Sequence, residues 1–421
     1  MRNSVVDLSV SRVLDSGDIV SVGRLAQNSQ GVFFQYDADY VSRFSNLSPF
    51  RLKADTRLQK GPREPHRGLH GVFADSLPDG WGLLLQDRWF RRQGVSLDHV
   101  TQMDRLALVG MNGLGALQYA EPLNSDRTEG VVQLGDLGIA AQEIDSGRDS
   151  IRLDQLVEVG SSGGARPKAH VYAENMDLRS VRLAPREGDA GWIVKFTTDR
   201  GALRHEEGVC EAAILSLAAE AMLKPVEWML VGAPTASGAS QWLAVKRFDL
   251  TDTGRLHVAT ASGLLDADFR MPSLDYSDLI QCAREICQSP ARGQLMYRRA
   301  VFNLLVCNHD DHAKNHSFLQ NDEGRWDLSP AYDLTFSPHP YNEHSTAFHG
   351  HGERPPVEVL ERLGERASYA SPEKSRAVIR DIIEVVSTFD QVAKDLGVSK
   401  PIRKEIAQRL DAQCEHYASQ I

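Results

Sequence analysis

The first 50 residues alternate between apolar and polar positions in several short runs. The runs SVVDLSVSRVL, DIVSVGRLA and GVFFQYDADYV are separated by turn-forming Ser, Gly, Asp and Asn residues. A period of two places every second side chain on the same face of an extended chain. The pattern therefore predicts antiparallel strands that form a small sheet or a partial barrel.

A helical period replaces this alternation after residue 75. Ser76 or Asp79 can cap a predicted helix that contains GWGLLLQDRWF, and a second predicted helix, DHVTQMDRLALVG, ends at Gly110. MNGLGALQYAEP then predicts a strand that closes a first unit near residue 121. Residues 122–150 are polar, which favours a linker followed by a helix over residues 131–145.

Strands are predicted again in the middle of the chain. In LVEVGSSGGARPKAHVYA a Ser/Gly cluster separates two strand-like runs, and both GWIVKFTT and QWLAVKRFDL predict further strands. A helix is predicted between these last two strands, over Glu206–Leu223. From Ser273 onward the period is almost entirely helical, and the helical part includes residues 375–394 and 400–420.

The order strand, glycine-rich turn, strand, lysine-bearing strand, helix and strand is that of a kinase N-lobe. The chain of 421 residues also exceeds what one hydrophobic core normally organises. We therefore expect an α+β, protein-kinase-like bilobal fold with a mostly helical C-lobe and an extra N-terminal α/β subdomain. The predicted divisions are residues 1–121 for the subdomain, 122–250 for the N-lobe and 251–421 for the C-lobe.

Composition narrows the class of protein. Apolar residues make up 42% and charged residues 25%, and no apolar run is long enough to span a membrane. The five cysteines form no C-x-x-C pair, so we expect reduced, mostly buried thiols. The net charge of −10 disfavours non-specific binding of nucleic acid. The N-terminus shows no export signal, and we expect a cytoplasmic protein.

The densest polar chemistry lies in the stretch Phe302–Phe318, FNLLVCNHDDHAKNHSF. Asp310 is a candidate general base, and Asn315 offers a neutral oxygen to Mg²⁺. The later segment LSPAYDL supplies a second acid, Asp333. An acid, an amide five residues later and a second acid on a separate segment is how kinases hold a base and magnesium.

A glycine-rich turn and a lysine on a strand provide candidate phosphate contacts. Glycine lets backbone N–H groups approach phosphate oxygens, and Lys195 lies among apolar neighbours of a predicted strand. The carboxylate partner of Lys195 is expected on the following helix, with Glu207 as first candidate and Glu206 or Glu211 as alternatives. The turn and its flanking cations comprise Gly160, Ser161, Ser162, Gly163, Gly164, Arg166 and Lys168.

Other interpretations of these residues remain open at this point. His309 and His312 permit a zinc site, and Ser162 stands at the centre of a G-x-S-x-G pattern that is typical of serine hydrolases. The polar segment can also be a solvated loop. Four further histidines lie in a Pro/Gly-rich loop, where we expect surface exposure or contact with a nucleotide instead of a metal: His339, His344, His349 and His351.

Six motifs together resemble HipA-type serine/threonine kinases, the toxins of bacterial type II toxin–antitoxin pairs. They are FADSLPDGWG, GGARPKA, the IVKF and KRFD strands, HDDHAKN and PAYDL, and the resemblance runs from about residue 45 to the C-terminus. It implies a base at Asp310 and metal ligands at Asn315 and Asp333. The implied nucleotide contacts are Gly163, Gly164, Ala165, Arg166, Pro167, Lys168, Lys195, Lys246, Arg247, Phe248, His312, Lys314 and Tyr332. His309 and Asp311 then become bystanders.

The resemblance also implies regulation and partners. Ser161, with Ser162 adjacent, matches a serine whose autophosphorylation ejects the loop and inactivates the kinase. The implied cofactors are ATP and Mg²⁺, and the implied substrate is an aminoacyl-tRNA synthetase or other translation factor. The implied partner is a HipB-like helix-turn-helix antitoxin, with DNA reached only through it. A small-molecule or lipid kinase and a non-catalytic pseudokinase corepressor are the alternatives.

Overall fold

The computed structural model describes residues 5–120, 130–159, 163–174 and 176–421. Contacts divide the chain into two compact units. Unit 1 comprises Met1–Asp199, Val231–Asp266 and Leu319–Arg325, and unit 2 comprises Arg200–Leu230, Ala267–Phe318 and Trp326–Ile421. The three-part division expected from the sequence stays a prediction.

The described chain contains strands, α-helices and short 3₁₀ turns throughout. The strands are β1 Asp7–Val13, β2 Ile19–Asn28, β3 Gly31–Tyr36, β4 Gln59–Lys60, β5 Leu117–Ala120, β6 Val131–Gln133, β7 Lys168–Ala173, β8 Ser180–Arg182, β9 Ala190–Lys195, β10 Trp228–Gly232, β11 Gln241–Lys246, β12 His257–Thr260, β13 Leu274–Asp275, β14 Ser317–Gln320, β15 Trp326–Leu328 and β16 Thr346–Ala347. The helices are α1 Ala38–Arg43, α2 Gly71–Ala74, α3 Gly80–Arg92, α4 Gln102–Val109, α5 Leu134–Asp145, α6 Leu153–Glu158, α7 Glu207–Glu220, α8 Ala261–Leu265, α9 Tyr276–Ile286, α10 Pro290–Leu305, α11 Val357–Arg366, α12 Pro372–Val386, α13 Phe389–Asp395 and α14 Lys400–Ala418.

The N-terminal alternation forms the predicted sheet in unit 1. Its strand order is β4-β3-β2-β1-β5, and the pairs given for β1, β2 and β3 are antiparallel. Leu8 and Val10 on β1 and Leu25 on β2 are buried in its core. The order runs from one edge strand, β4, to the other, β5, so the sheet is open and not a closed barrel. The end of GVFFQYDADYV was also expected to be extended, but α1 begins at Ala38.

Arg12 continues the inward face of β1 and is completely buried. Its guanidinium donates to Tyr40 Oη at 3.2 Å, Gln320 Oε1 at 3.3 Å and Asp322 Oδ1 at 3.2 Å. A buried cation is tolerated when it is paired and hydrogen-bonded. Arg12 therefore ties Leu319–Arg325, a segment distant in sequence, to the N-terminal sheet of unit 1.

The second sheet has the order β10-β11-β9-β7-β8-β6. The apolar run before the Ser/Gly cluster was expected to be a strand and is the helix α6, which buries Leu153, Leu156 and Val157 on one side. The expected helix over 131–145 starts later, at Leu134, because β6 occupies its first residues. β11 ends at Lys246, so the rest of the KRFD motif lies beyond the strand.

Unit 2 is mostly helical, as predicted. The helix expected over 206–223 is α7, and the one expected over 400–420 is α14. The helix expected over 375–394 is two helices, α12 and α13. β13 and β16 form a short parallel pair. Four of the five cysteines are buried and none is paired in a disulfide, as expected. None of the helices in the described ranges is both long and apolar enough to cross a bilayer.

Candidate active site

The helix α10 leads into the polar segment, which we define as residues 308–316. Val301, Phe302, Leu304 and Leu305 bury the end of the helix, so its position is set by the apolar core. Cys307 then adopts a left-handed backbone with φ +53°, which turns the chain out of the helix. The abrupt change from apolar to polar residues in the sequence therefore coincides with the end of a buried helix.

The two adjacent acids of the polar segment have opposite surroundings. The side chain of Asp310 is 68% exposed, whereas the side chain of Asp311 is completely buried. Asp311 accepts hydrogen bonds from Tyr276 Oη at 2.7 Å and Thr346 N at 3.1 Å, and lies 2.9 Å from His344 Nδ1. Burial raises the pKa of Asp311, but His344 and these bonds outweigh burial and lower the pKa. Asp311 is thus a buried carboxylate that holds the polar segment in place, and its exclusion from the catalytic residues stays a prediction.

The bonds of Asp311 continue through a chain of buried side chains. Asn303 Nδ2 donates to Tyr276 Oη at 2.9 Å, and Asn308 Nδ2 donates to Asn303 Oδ1 at 3.0 Å. Asn308 Nδ2 also lies 3.3 Å from the carbonyl oxygen of Asp333. These side chains therefore join the polar segment to the segment that carries the second acid. Sequence reasoning missed Asn303 and Tyr276, although an asparagine inside the apolar face of a helix was an available signal.

Asn315 and Asp333 line the same cleft in unit 2, together with Asn303, Asn308 and Tyr332. The side-chain N–H of Asn315 donates to the carbonyl oxygen of Asp310 at 2.7 Å, so its amide oxygen is the atom left for a ligand. Asp333 has φ +49°, in the left-handed region that aspartate adopts more readily than most non-glycine residues. One carboxylate and one amide oxygen at a cleft match the donors that Mg²⁺ takes when phosphates and water complete its shell.

Three further predicted site residues of unit 2, His312, Lys314 and Tyr332, lie close in sequence to Asn315 or Asp333. Tyr332 Oη donates to the carbonyl oxygen of Lys314 at 2.6 Å and lies 2.5 Å from Ser317 Oγ. Lys314 Nζ lies 4.4 Å from the ring centre of Phe269, and the ring of His312 also contacts Phe269. The phenol of Tyr332 therefore fixes the backbone of the polar segment, while Lys314 and His312 share an aromatic neighbour.

The histidines of the site do not form a metal cage. In the described ranges no group of three His, Cys, Asp or Glu side chains could hold a metal ion, so the structure gives the zinc interpretation no support. His339, His349 and His351 are exposed as expected, but His344 is buried against Asp311 and the expectation of exposure was wrong for it. Burial lowers the pKa of His309 and of His316 to about 4, so both are neutral at physiological pH.

The glycine-rich loop lies in unit 1, and we use this name for its described residues, 163–168. Gly160, Ser161 and Ser162 lie outside the described residues. Gly164 has φ +102°, which requires glycine, and Lys168 Nζ donates to the carbonyl oxygen of Gly163 at 2.5 Å. Ala165, Arg166 and Pro167 connect these glycines to β7. A strand follows the loop, not a helix, which is contrary to what a hydrolase nucleophile elbow requires.

Two lysines occupy opposite positions on the neighbouring strands β7 and β9, next to the glycine-rich loop. Lys168 on β7 and Lys195 on β9 are antiparallel register partners, and they are 4% and 8% exposed. Opposite residues of such a pair project from the same face of the sheet, and like charges in this position destabilise it unless anions compensate. Both side chains therefore project from one face of the sheet, at the end of the glycine-rich loop.

The candidate carboxylates for Lys195 lie on or next to α7 in unit 2. Glu206 Oε2 accepts the backbone N–H of Ser399 at 2.6 Å, so this carboxylate holds the start of α14. Glu211 is buried and Glu207 is partly buried. The choice among the three carboxylates stays a prediction.

Arg247 in the KRFD motif is buried in unit 1. Its guanidinium contacts Asp249 at 2.6 Å and Tyr172 Oη at 3.0 Å. Burial lowers the pKa of Arg247, but Asp249 and Tyr172 outweigh burial and raise the pKa above its ordinary value. Lys246 and Phe248 on either side are half-buried. The Arg247 side chain thus holds the end of β11 in place.

Comparison with known proteins places this arrangement in a family. A chain from the toxin–antitoxin complex of HipA, HipB and operator DNA of Shewanella oneidensis MR-1 matches with a TM-score of 0.70 and 17% identity, over 98% of this chain and 97% of that chain. This likeness confirms the predicted fold class. Y4dM of Sinorhizobium fredii, which is provisionally named a kinase, is 33% identical over 170 residues. That match covers 38% of this chain and only 40% of Y4dM.

Two domain families account for most of the sequence. Residues 18–120 match the HipA N-terminal domain, and residues 160–414 match the HipA-like C-terminal domain. The second match alone covers more than half of the chain and includes the glycine-rich loop, the polar segment and Asp333. The resemblance seen in the six sequence motifs is thereby confirmed, and the protein belongs to the HipA family.

Proposed function

We propose that this protein is an ATP- and Mg²⁺-dependent kinase that phosphorylates serine or threonine residues of a protein. The observation that carries the proposal is that Asn315 and Asp333 line the same cleft of unit 2. Their side-chain oxygens are proposed as the two protein ligands of magnesium. Asp310 is exposed, lies five residues before Asn315 in the sequence, and accepts a hydrogen bond from the Asn315 side chain at its backbone carbonyl oxygen. This is the residue set that phosphoryl transfer requires of a kinase.

Each residue has a stated part in the proposed reaction. Asp310 accepts or orients the proton of the acceptor hydroxyl, which needs an exposed carboxylate. Asn315 and Asp333 hold magnesium, and magnesium when bound neutralises charge that develops on the transferred phosphoryl group. Catalysis of this kind depends on positioning and electrostatic stabilisation, since phosphoryl transfer needs little covalent participation by the protein.

The nucleotide contacts are proposed for unit 1. The buried lysines Lys168 and Lys195, on neighbouring strands next to the glycine-rich loop, are proposed to contact the phosphates of ATP. The glycine-rich loop brings backbone groups to the same strand, and Lys246 and Phe248 would border the adenine. His312, Lys314 and Tyr332 are proposed on the nucleotide side of the polar segment.

We also propose the biological setting that family membership suggests. The Shewanella relative was solved with HipB and operator DNA, which supports a helix-turn-helix antitoxin as partner and DNA contact through that partner. The substrate class is an aminoacyl-tRNA synthetase or another translation factor, and its phosphorylation would arrest growth. Autophosphorylation at Ser161 or Ser162 would add two negative charges next to the glycine-rich loop and repel ATP.

The test is transfer of labelled phosphate from ATP. Asp310→Asn and Asp333→Asn should each lower transfer at least about 100-fold, because each removes a charge that acts on the reacting groups. Both proteins should retain the circular dichroism spectrum of the wild type. Asp411→Asn, at an exposed position of α14, is the matched control and should keep full transfer.

The same experiment separates the alternatives. Mass spectrometry of the isolated protein should find phosphate on Ser161 or Ser162 if the chemistry is directed to protein. ATP binding without any transfer by the wild type would favour a non-catalytic corepressor. Full transfer by both aspartate variants would refute the site assignment.

A further inference from the structure

The start of α3 makes an unusual set of contacts. Asp79 is the N-cap residue of this helix, where an aspartate ordinarily accepts a hydrogen bond from the N–H groups of its own first turn. Here it makes no such bond. Its carboxylate instead accepts the backbone N–H of Gly164 in the glycine-rich loop, 85 residues later in the sequence.

Two further bonds join the same two elements within unit 1. The backbone N–H of Trp81 donates to the carbonyl oxygen of Gly164 at 3.0 Å. The indole Nε1–H of Trp81 donates to the carbonyl oxygen of Lys168 at 2.9 Å. The start of α3 therefore holds the loop at both ends, at Gly164 and at the first residue of β7.

The close approach of the two elements depends on glycines on both sides. A Cβ on Gly80 would lie 2.6 Å from the Cα of Ala165 and 2.6 Å from the carbonyl oxygen of Gly164. A Cβ on Gly163 would lie 2.9 Å from the carboxylate of Asp79. Such distances are shorter than real Cβ contacts, so a side chain at either position would force the loop and the helix apart. The glycines of LPDGWG and GGARPK thus belong to one contact.

We propose that Asp79 and Trp81 are positioning residues that hold the glycine-rich loop in its nucleotide-binding conformation. The inference rests on the proposed function, because it assigns these contacts to the binding of ATP. A carboxylate suits this position because a charge-assisted bond to a backbone N–H is stronger than a neutral one. Asp79 is 6% exposed, so water competes little for the bond.

The expected consequence is a change in ATP affinity and not in the chemical step. A loop that is already held in one conformation loses little entropy when a ligand binds, so releasing it weakens binding. Asp79 and Trp81 do not belong to the polar segment or to the magnesium donors. Their loss should therefore raise the KM for ATP while kcat changes little.

The first experiment needs no catalytic activity. Hydrogen exchange of residues 163–168 is measured in the nucleotide-free full-length wild type, Asp79→Ala, Asp79→Asn and the control Asp98→Ala, an exposed aspartate of the Leu97–His99 turn. Asp79→Ala should accelerate exchange about 10- to 100-fold, the effect of losing one bond to a charged group. Asp79→Asn keeps an oxygen that can accept the Gly164 N–H and should restore most of the protection. Exchange in Asp79→Ala equal to that in Asp98→Ala would refute the proposal.

The second experiment is steady-state kinetics with ATP. Asp79→Ala and Trp81→Phe should raise the KM for ATP about 10-fold or more with kcat within about threefold of the wild type, whereas Asp79→Asn should stay near the wild type. A fall in kcat at an unchanged KM would overturn the assignment to nucleotide binding. If the wild type transfers no phosphate, the proposed function fails, and the exchange measurement together with the binding affinity for ATP still decides the positioning role.

Discussion

The polar segment and the glycine-rich loop are held in place by different means. The polar segment is anchored by buried side chains, with Asp311 at the centre of bonds from Tyr276, His344 and Thr346. The described part of the glycine-rich loop is held largely through its backbone, by Asp79 and Trp81 and by the absence of Cβ atoms at the contact. Buried side-chain networks are stable only when complete. The contacts of the loop with Asp79 and Trp81 can be removed one at a time by substitution.

The sharpest test of this contrast uses the two adjacent acids of the polar segment. Asp311→Ala should lower the free energy of unfolding by about 3–5 kcal/mol, because it leaves Tyr276 and His344 buried without their partner. Asp310→Ala should change it by no more than about 0.5 kcal/mol, since that side chain is 68% exposed. Urea denaturation measures both values.

Phosphate transfer should separate the same two variants in the opposite sense. Asp310→Ala should lose transfer while it remains fully folded, and any transfer lost in Asp311→Ala should be accompanied by a fall in stability. An Asp311→Ala protein as stable as the wild type would show that the buried network does not hold the polar segment.

The sequence indicated where the polar segment lies, but it did not show what each of its residues does. An acid, an amide and a second acid at the right spacing marked Asp310, Asn315 and Asp333 without any tertiary information. The parts of Asp311 and His344 could not be assigned in this way, because two neighbouring acids have the same chemistry. Only the tertiary contacts of residues 276 and 344–346 distinguish the buried acid from the exposed one.

The glycine-rich loop shows the opposite difficulty. Its glycine-rich composition and the strand that follows it were predicted from the sequence. The element before it was predicted to be a strand, but the apolar run LVEV is the end of the helix α6. Periodicity cannot separate a short buried helix from a short buried strand. The partner that fixes the loop is also 85 residues upstream, and Asp79 looked like an ordinary helix cap. Arg12 is a similar case. This charged residue lies on the inward face of β1, and its ion-pair partner Asp322 is 310 residues later in the sequence.

Acid provides a second test of how the polar segment is held. Burial lowers the pKa of His316 to about 4, below the ordinary value of 6.5. Between these two pH values the unfolded chain binds a proton that the folded chain does not, so stability falls as the pH falls from 6.5 to 4. The loss should reach about 3 kcal/mol, at about 1.4 kcal/mol per pH unit.

The measurement is urea denaturation of the wild type at pH 6.5, 5.5 and 4.5, beside His316→Gln and the exposed-site control His351→Gln. The free energy of unfolding of the His316 variant should change less with pH, by the amount that corresponds to uptake of about one proton. The control should show the same pH dependence as the wild type. Equal slopes for all three proteins would mean that His316 is not a buried neutral base.

The smallest expected effect concerns the contact of the loop with α3. Gly94→Ala introduces a Cβ at φ +75° with no atom within 4 Å, so it should cost about 1 kcal/mol from backbone strain alone. Gly80→Ala adds a clash with the backbone of Gly164 and Ala165 to its own strain at φ +41°. We expect a further loss of about 1–3 kcal/mol, limited because the loop can move away from the helix.

Urea denaturation gives the loss of stability of each variant, and hydrogen exchange of residues 163–168 shows whether the loop has moved. Equal costs for the two variants, with unchanged exchange in the loop, would show that α3 and the loop do not pack this closely, and the contrast between the two regions would then lose its basis.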